Sequence, residues 1–140
     1  MNADVFFDTN ILLYTLSGDA SKADRAESLL AQGGTVSVQV LNEFASVATR
    51  KLGFSWQEVD EVLGVVRKVC SVESLSEETY DRGRAVAERY RLSVYDSMIV
   101  AAALLAECKT LYSEDMHAGL RVEKQVTVRN PFTTTRLRAS

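Results

Sequence analysis

Short runs of strand-forming residues alternate with longer stretches of helical composition, and this alternation limits the fold more than any other feature of the chain. Val5, Phe6 and Phe7 form the first run. Residues 35–38 (Thr-Val-Ser-Val), 110–113 (Thr-Leu-Tyr-Ser) and 126–128 (Val-Thr-Val) repeat the pattern, and 71–75 is a further candidate. Residues 10–16 suggest a helix or turn, and 20–31, 39–52, 55–70, 76–91 and 96–107 have helical composition. Strands joined through helices pair in parallel, with helices covering both faces of the sheet. The expected fold is a three-layer α/β/α arrangement around a mostly parallel sheet of four or five strands. The 140 residues suit one domain spanning 1–140. No internal repeat, low-complexity segment or linker interrupts them.

Local signals agree with this outline. Val40, Leu41, Phe44, Val47 and Ala48 give residues 39–52 an apolar face, and Gly53 ends the stretch. Ser55 and Glu58 have the spacing of a capping box, which satisfies free amides at a helix start reciprocally. Trp56 beside it is expected to pack. Residues 96–107 are the most hydrophobic helical stretch and should lie deep against the sheet.

Composition narrows the function. A single proline and 7 glycines argue against disorder and against a turn-dense all-β fold. The net charge of -3 and an isoelectric point of about 5.2 do not advertise a nucleic-acid binder. Charge is unevenly placed, however. From Arg121 onward the chain carries Arg121, Lys124, Arg129, Arg136 and Arg138 against Glu123 alone. This segment is either a basic rim that steers a polyanion toward an acidic centre or a solvated end. Cys70 and Cys108 match no metal or redox spacing and are expected to be buried and reduced. The start has no basic-then-apolar signal pattern, and the longest apolar run, 98–106, is too short to span a membrane. A soluble cytoplasmic protein is expected.

Four acids fall at strand-to-helix junctions or in early helical turns: Asp8, Glu43, Asp96 and Asp115. In an open α/β sheet these junctions converge on one edge. Each acid has a structural alternative. Asp8 suits a helix N-cap, Asp96 a cap before the apolar helix, Asp115 a turn, and Glu43 a solvated helix face shared with Gln39, Asn42, Ser46 and Arg50. Together they form a set of hard oxygen donors. Clustered carboxylates raise one another's pKa unless a cation sits among them, and Mg²⁺ or Mn²⁺ prefers such ligands. Asn10 and Ser113 flank the acids and either orient an attacking water or serve a local turn. Metal-assisted phosphodiester cleavage is the chemistry this set favours.

Other chemistries lack their residues. His117 is the sole histidine, so a histidine-rich zinc site is excluded. No phosphate-cradling glycine loop and no nucleophile elbow is present. Two alternatives remain. One is a haloacid-dehalogenase-type phosphatase, which also places an aspartate after its first strand but needs a second one where Asn10 stands. The other is a non-catalytic module that retains the fold and binds RNA or protein.

The segments around these acids resemble the motifs of PIN-domain ribonucleases. Val5-Phe-Phe-Asp8-Thr-Asn-Ile-Leu-Leu-Tyr14 is similar to the family's opening, and Val38-Gln-Val-Leu-Asn-Glu43-Phe44 to its second acidic motif. Tyr95-Asp96-Ser-Met-Ile-Val-Ala-Ala-Ala103 and Leu111-Tyr-Ser-Glu-Asp115-Met116 are similar to the third and fourth, and Val128-Arg-Asn-Pro-Phe132 to its terminal strand. The likeness is strongest to VapC-type toxins of bacterial toxin–antitoxin pairs. It implies a Mg²⁺- or Mn²⁺-dependent endoribonuclease that inhibits translation, with Asp8, Asp96 and Asp115 as metal ligands and Glu43 attending the attacking water. It also implies a homodimer, and a VapB-type antitoxin whose C-terminal segment lies across the site and inserts a basic residue. Many relatives carry a further acid where this chain has His117. Glu114 is acidic, but strand alternation is expected to turn it away.

Overall fold

The computed structural model describes residues 3–132. The elements run β1 (Val5–Phe7), α1 (Thr9–Tyr14), α2 (Ala20–Ala31), β2 (Gly34–Ser37), α3 (Val38–Arg50), α4 (Trp56–Val69), β3 (Cys70–Glu73), α5 (Glu77–Tyr90), α6 (Val94–Leu105), β4 (Thr110–Tyr112), β5 (Arg121–Val122) and β6 (Val126–Arg129). The strands form one sheet in the order β3-β2-β1-β4-β6-β5. β1 pairs in parallel with β2 and β4, β2 with β3, and β4 with β6, while β5 is antiparallel to β6.

This order positions the site. From β1 the chain steps through α1 and α2 to β2, then through α3 and α4 to β3. It returns through α5 and α6 to β4, on the other side of β1. Right-handed crossovers place α1–α4 over one face and α5–α6 over the other, giving three layers. The direction reverses between β1 and β4, so their carboxyl ends flank the crevice where open α/β sheets bind ligands.

The core follows from the apolar runs. Phe6, Phe7, Val36 and Leu111 on the strands are fully buried, as are Ile11, Leu12, Val40 and Phe44 on the helices. α6 is buried from Ser97 to Leu104 and packs across β2 and β6, with α5 along it. Gly34 permits the close approach of β2 to β1. A Cβ there would lie 2.6 Å from Phe7 Cε2 and 2.9 Å from the Val5 carbonyl oxygen. Cys70 and Cys108 are buried free thiols, and burial pushes the pKa of each up to about 11.

The structure departs from expectation in four places. β3 spans Cys70–Glu73, one residue earlier than foreseen, and ends before Leu75. A sixth strand, β5, folds back on β6 through a hairpin whose Glu123 and Lys124 have positive φ (52° and 59°). Trp56 is exposed, at 65%, and so is not a packing residue. The basic residues from Arg121 onward divide between the two edges of the sheet: Arg129 ends β6 opposite Tyr112, and its carbonyl accepts from the Ser113 amide at the carboxyl edge. The hairpin carrying Lys124 lies at the amino-terminal end of β6, opposite the carboxyl edge where the acids emerge, and Arg136 and Arg138 lie outside the described residues. No helix among the described residues is long and apolar enough to cross a membrane.

Candidate active site

Asp8 ends β1 and caps α1. Its Oδ1 accepts a 2.7 Å hydrogen bond from the Thr9 amide. Its Oδ2 accepts from Ser113 Oγ at 2.8 Å, just past β4, and from Asn10 Nδ2 at 3.4 Å. The cap expected of Asp8 is therefore real, and the same carboxylate faces the crevice between the two central strands. Asn10 Nδ2 also donates to Asp115 Oδ2 at 3.1 Å, so one amide spans two of the acids. Ser113 Oγ accepts from the Asp115 and Met116 amides, each at 3.2 Å, which sets the turn that presents Asp115.

Asp96 is not the cap of α6. Ser93 holds that position, and its Oγ accepts from the Asp96 amide at 3.1 Å. Asp96 thus sits in the first turn, where the amide-rich helix start favours a carboxylate. Glu43, on α3, is half-buried rather than on a solvated face. Both of its oxygens are held. Thr9 Oγ donates to Oε1 at 2.6 Å, and Gln39 Nε2 donates to Oε2 at 3.1 Å. Gln39 Nε2 also reaches the Tyr95 carbonyl at 3.0 Å, tying α3 to the start of α6.

The electrostatics show that the four acids share one locale. Burial, against the hydrogen bonds from Ser113 and Thr9, pushes Asp8 up to about 6, and the charges of Asp96 and Glu43 add to the rise. Asp96 is also raised, mainly by burial and further by Asp115 and Glu43, against its bond with Ser93. No basic side chain contributes at either aspartate. Among the described residues, no three His, Cys, Asp or Glu side chains form a ready-made metal cage. The donors around the acids are neutral amides and hydroxyls, which orient carboxylates without neutralising them. Hard oxygen donors with uncompensated charge are the chemistry that fits a divalent cation.

Glu114 turns away, as strand alternation foretold. It hydrogen-bonds Tyr14 and pairs with Lys22 at 3.0 Å, which lowers its pKa. His117 is exposed. Two residues that hold the site were not singled out from the sequence as such. Gln39 had a usable signal, its spacing of four from Glu43 on one helix. Thr9 had none, because its bond to Glu43 crosses 34 positions. Replacing Gln39 with alanine leaves a Glu43 oxygen and the Tyr95 carbonyl without this donor. We expect Gln39→Ala to slow any reaction that depends on Glu43 about tenfold, the effect of losing an outer-shell partner, while Gln39→Asn recovers none of it because its amide is one methylene short. Equal turnover by Gln39→Ala and wild type in single-turnover assays would contradict the clamp.

Comparison with known proteins bears on the fold and the family. A toxin–antitoxin complex from Klebsiella pneumoniae contains a chain that is 20% identical and superposes with a TM-score of 0.69, covering 91% of this chain and 98% of that one. VapC20 from Mycobacterium tuberculosis, a sarcin–ricin loop cleaving toxin, is 17% identical with a TM-score of 0.65, covering 79% and 89%. VapBC2 from Rickettsia felis, bound to a DNA fragment from its promoter, is 19% identical with a TM-score of 0.63, covering 90% and 97%. At these identities the likeness is one of fold. No curated protein is significantly similar in sequence. The PIN domain family matches residues 5–119, from the first strand through the fourth acidic segment, and the chain belongs to that family.

Proposed function

We propose that this protein is a Mg²⁺- or Mn²⁺-dependent endoribonuclease of VapC type, the cytoplasmic toxin of a VapB–VapC pair that inhibits translation. The observation that carries this is the crowding of Asp8, Glu43, Asp96 and Asp115 at the β1–β4 crevice, with no basic side chain offsetting Asp8 or Asp96. Asp8, Asp96 and Asp115 would hold the ion, which supplies positive charge against the phosphate and acidifies a nearby water.

The protein's own groups do the rest. Ser113, Asn10 and the Thr9 amide fix the Asp8 carboxylate. Glu43, clamped by Thr9 and Gln39, directs the attacking water and receives its proton. The water oxygen bonds to phosphorus as the bond to O3′ breaks, and the electron pair leaves on O3′, which is then protonated. The products are a 5′ phosphate and a 3′ hydroxyl. Asn10 speaks against the phosphatase alternative, since an amide donating to both Asp8 and Asp115 has no proton to shuttle.

The partners follow from the same reading. An antitoxin segment carrying a basic residue would neutralise the acid cluster, and the solved relatives include toxin–antitoxin complexes. The whole chain, residues 1–140, would act as one domain within a homodimer. Purified protein with cellular RNA and Mg²⁺ should yield new ends bearing 5′ phosphates. Ends bearing 2′,3′-cyclic phosphates, or intact RNA, would overturn the proposal.

A further inference from the structure

Beside the acid cluster the surface changes character. Gln39, Glu43, Leu75, Tyr80, Val94 and Tyr95 border a groove of about 460 Å³, within the range of small-ligand pockets. Its wall is largely apolar and open. Tyr95 is 72% exposed, Tyr80 57%, Val94 57% and Leu75 51%. Contiguous exposed apolar side chains mark a binding surface more often than single ones do. The groove is continuous with the acids. Glu43 lines it, Tyr95 directly precedes Asp96, and Gln39 bonds both the Glu43 carboxylate and the Tyr95 carbonyl.

We propose that this groove is a nucleobase pocket, in which Tyr80 and Tyr95 stack an unpaired base next to the phosphate held at the acid cluster. The proposal deepens the nuclease reading and rests on it. Charge selects the occupant. Glu43 and Asp96 repel a phosphate from the groove, and a basic side chain would be drawn past it to the carboxylates. A base is neutral, has flat apolar faces for the tyrosines, and presents a polar edge to the Asn42 amide on the rim. A base inside a duplex is already stacked, so the groove selects single-stranded segments, loops or ends. Stacking of this kind tolerates any base, so the pocket imposes strandedness first and leaves base choice to Asn42.

The test uses the non-cleaving Asp8→Asn protein and a short single-stranded RNA carrying 2-aminopurine at successive positions. One position should lose fluorescence on binding, as a stacked base does. Tyr80→Ala and Tyr95→Ala should each abolish that quenching and weaken binding about tenfold, while Tyr80→Phe and Tyr95→Phe retain both. Both side chains lie mostly in solvent, and thermal unfolding confirms that the variants fold. The same RNA as a duplex should show no quenching. Quenching unaffected by the alanine variants, or absent at every position, overturns the pocket. So does a change from dimer to monomer on sedimentation with quenching intact, which would assign the tyrosines to a contact between copies. Wild-type cleavage is scored separately. Cleavage without tyrosine-dependent quenching removes the pocket alone, whereas quenching without cleavage retains the pocket and removes the nuclease.

Discussion

Asp8→Asn should destroy RNA cleavage and, in a chelator at neutral pH, make the protein more stable. The two effects have one cause. Asp8 is 6% exposed, and burial beside Asp96 and Glu43 pushes its carboxyl up to about 6. Its value in an unfolded chain is near 3.8. Between those values the folded state keeps a proton that the unfolded chain has lost, so stability falls as pH rises from about 4 to about 6. Above pH 6 the full penalty is present, with a ceiling of about 3 kcal/mol from a shift of roughly two units. Asparagine removes the charge and preserves the shape and capping ability. It accepts fewer of the bonds now made by Thr9 and Ser113, which reduces the expected gain to about 1–2 kcal/mol. Urea unfolding at pH 7.5 in EDTA should show that gain, and at pH 4 it should vanish. Activity should fall at least about a thousandfold, because on the proposed mechanism several kcal/mol of transition-state stabilisation would depend on an ion that Asp8 would help hold. A variant that cleaves at the wild-type rate would remove Asp8 from the site. One that loses stability in EDTA at neutral pH would contradict the burial argument.

The parts of the fold legible in the sequence were those where chain-local chemistry and tertiary structure agree. β1, β2, β4 and β6 were visible because their β-branched and aromatic runs are flanked by capping or turn residues. α6 was visible because its burial on all sides leaves nothing polar between Ser97 and Leu104. The hairpin of β5 and β6 was not. Tight hairpins that need positive φ are usually signalled by asparagine or glycine, but here Glu123 and Lys124 adopt it. Distant contacts sustain that turn. Arg82 pairs with Glu123 at 2.7 Å, and the Glu123 amide donates to Tyr90 Oη at 2.8 Å. Both partners lie on α5, some 30 to 40 residues back, beyond the reach of any local pattern.

The site divides along the same line. The gathering of the four acids followed from topology, since every parallel strand delivers its carboxyl end to one edge. The fine placement did not. Asp96 had a cap as its structural alternative because aspartate caps helices well, but Ser93 three residues earlier takes that role and places Asp96 in the first turn of α6. Glu43 was given a solvated alternative because its helix neighbours are polar. The structure turns Glu43 and Gln39 toward Thr9 and the start of α6, so polarity at those two positions marks a hydrogen-bonded clamp, while Asn42 and Arg50 on the same helix are exposed.

The second large effect concerns the cation itself. The acids stand apart from any basic side chain that would offset Asp8 or Asp96, so the proposed ion would remove a penalty as well as add ligand bonds. Mn²⁺ at about a hundredfold above its dissociation constant should stabilise the fold by about 2.7 kcal/mol. For a chain of this size, that corresponds to a melting temperature roughly 5–10 °C higher. Protons compete for the same oxygens. At pH 5 the Asp8 carboxyl is largely protonated without metal, and displacing that proton should weaken Mn²⁺ binding at least about tenfold relative to pH 7.5. Asp8→Asn should show a much smaller Mn²⁺-induced rise and lose most of its pH dependence. In parallel, EDTA should abolish cleavage and excess Mn²⁺ should restore it. Full turnover in EDTA would rule out metal-assisted cleavage. A melting temperature indifferent to Mn²⁺ at pH 7.5, with cleavage still EDTA-sensitive, would place the ion on the RNA rather than among these carboxylates.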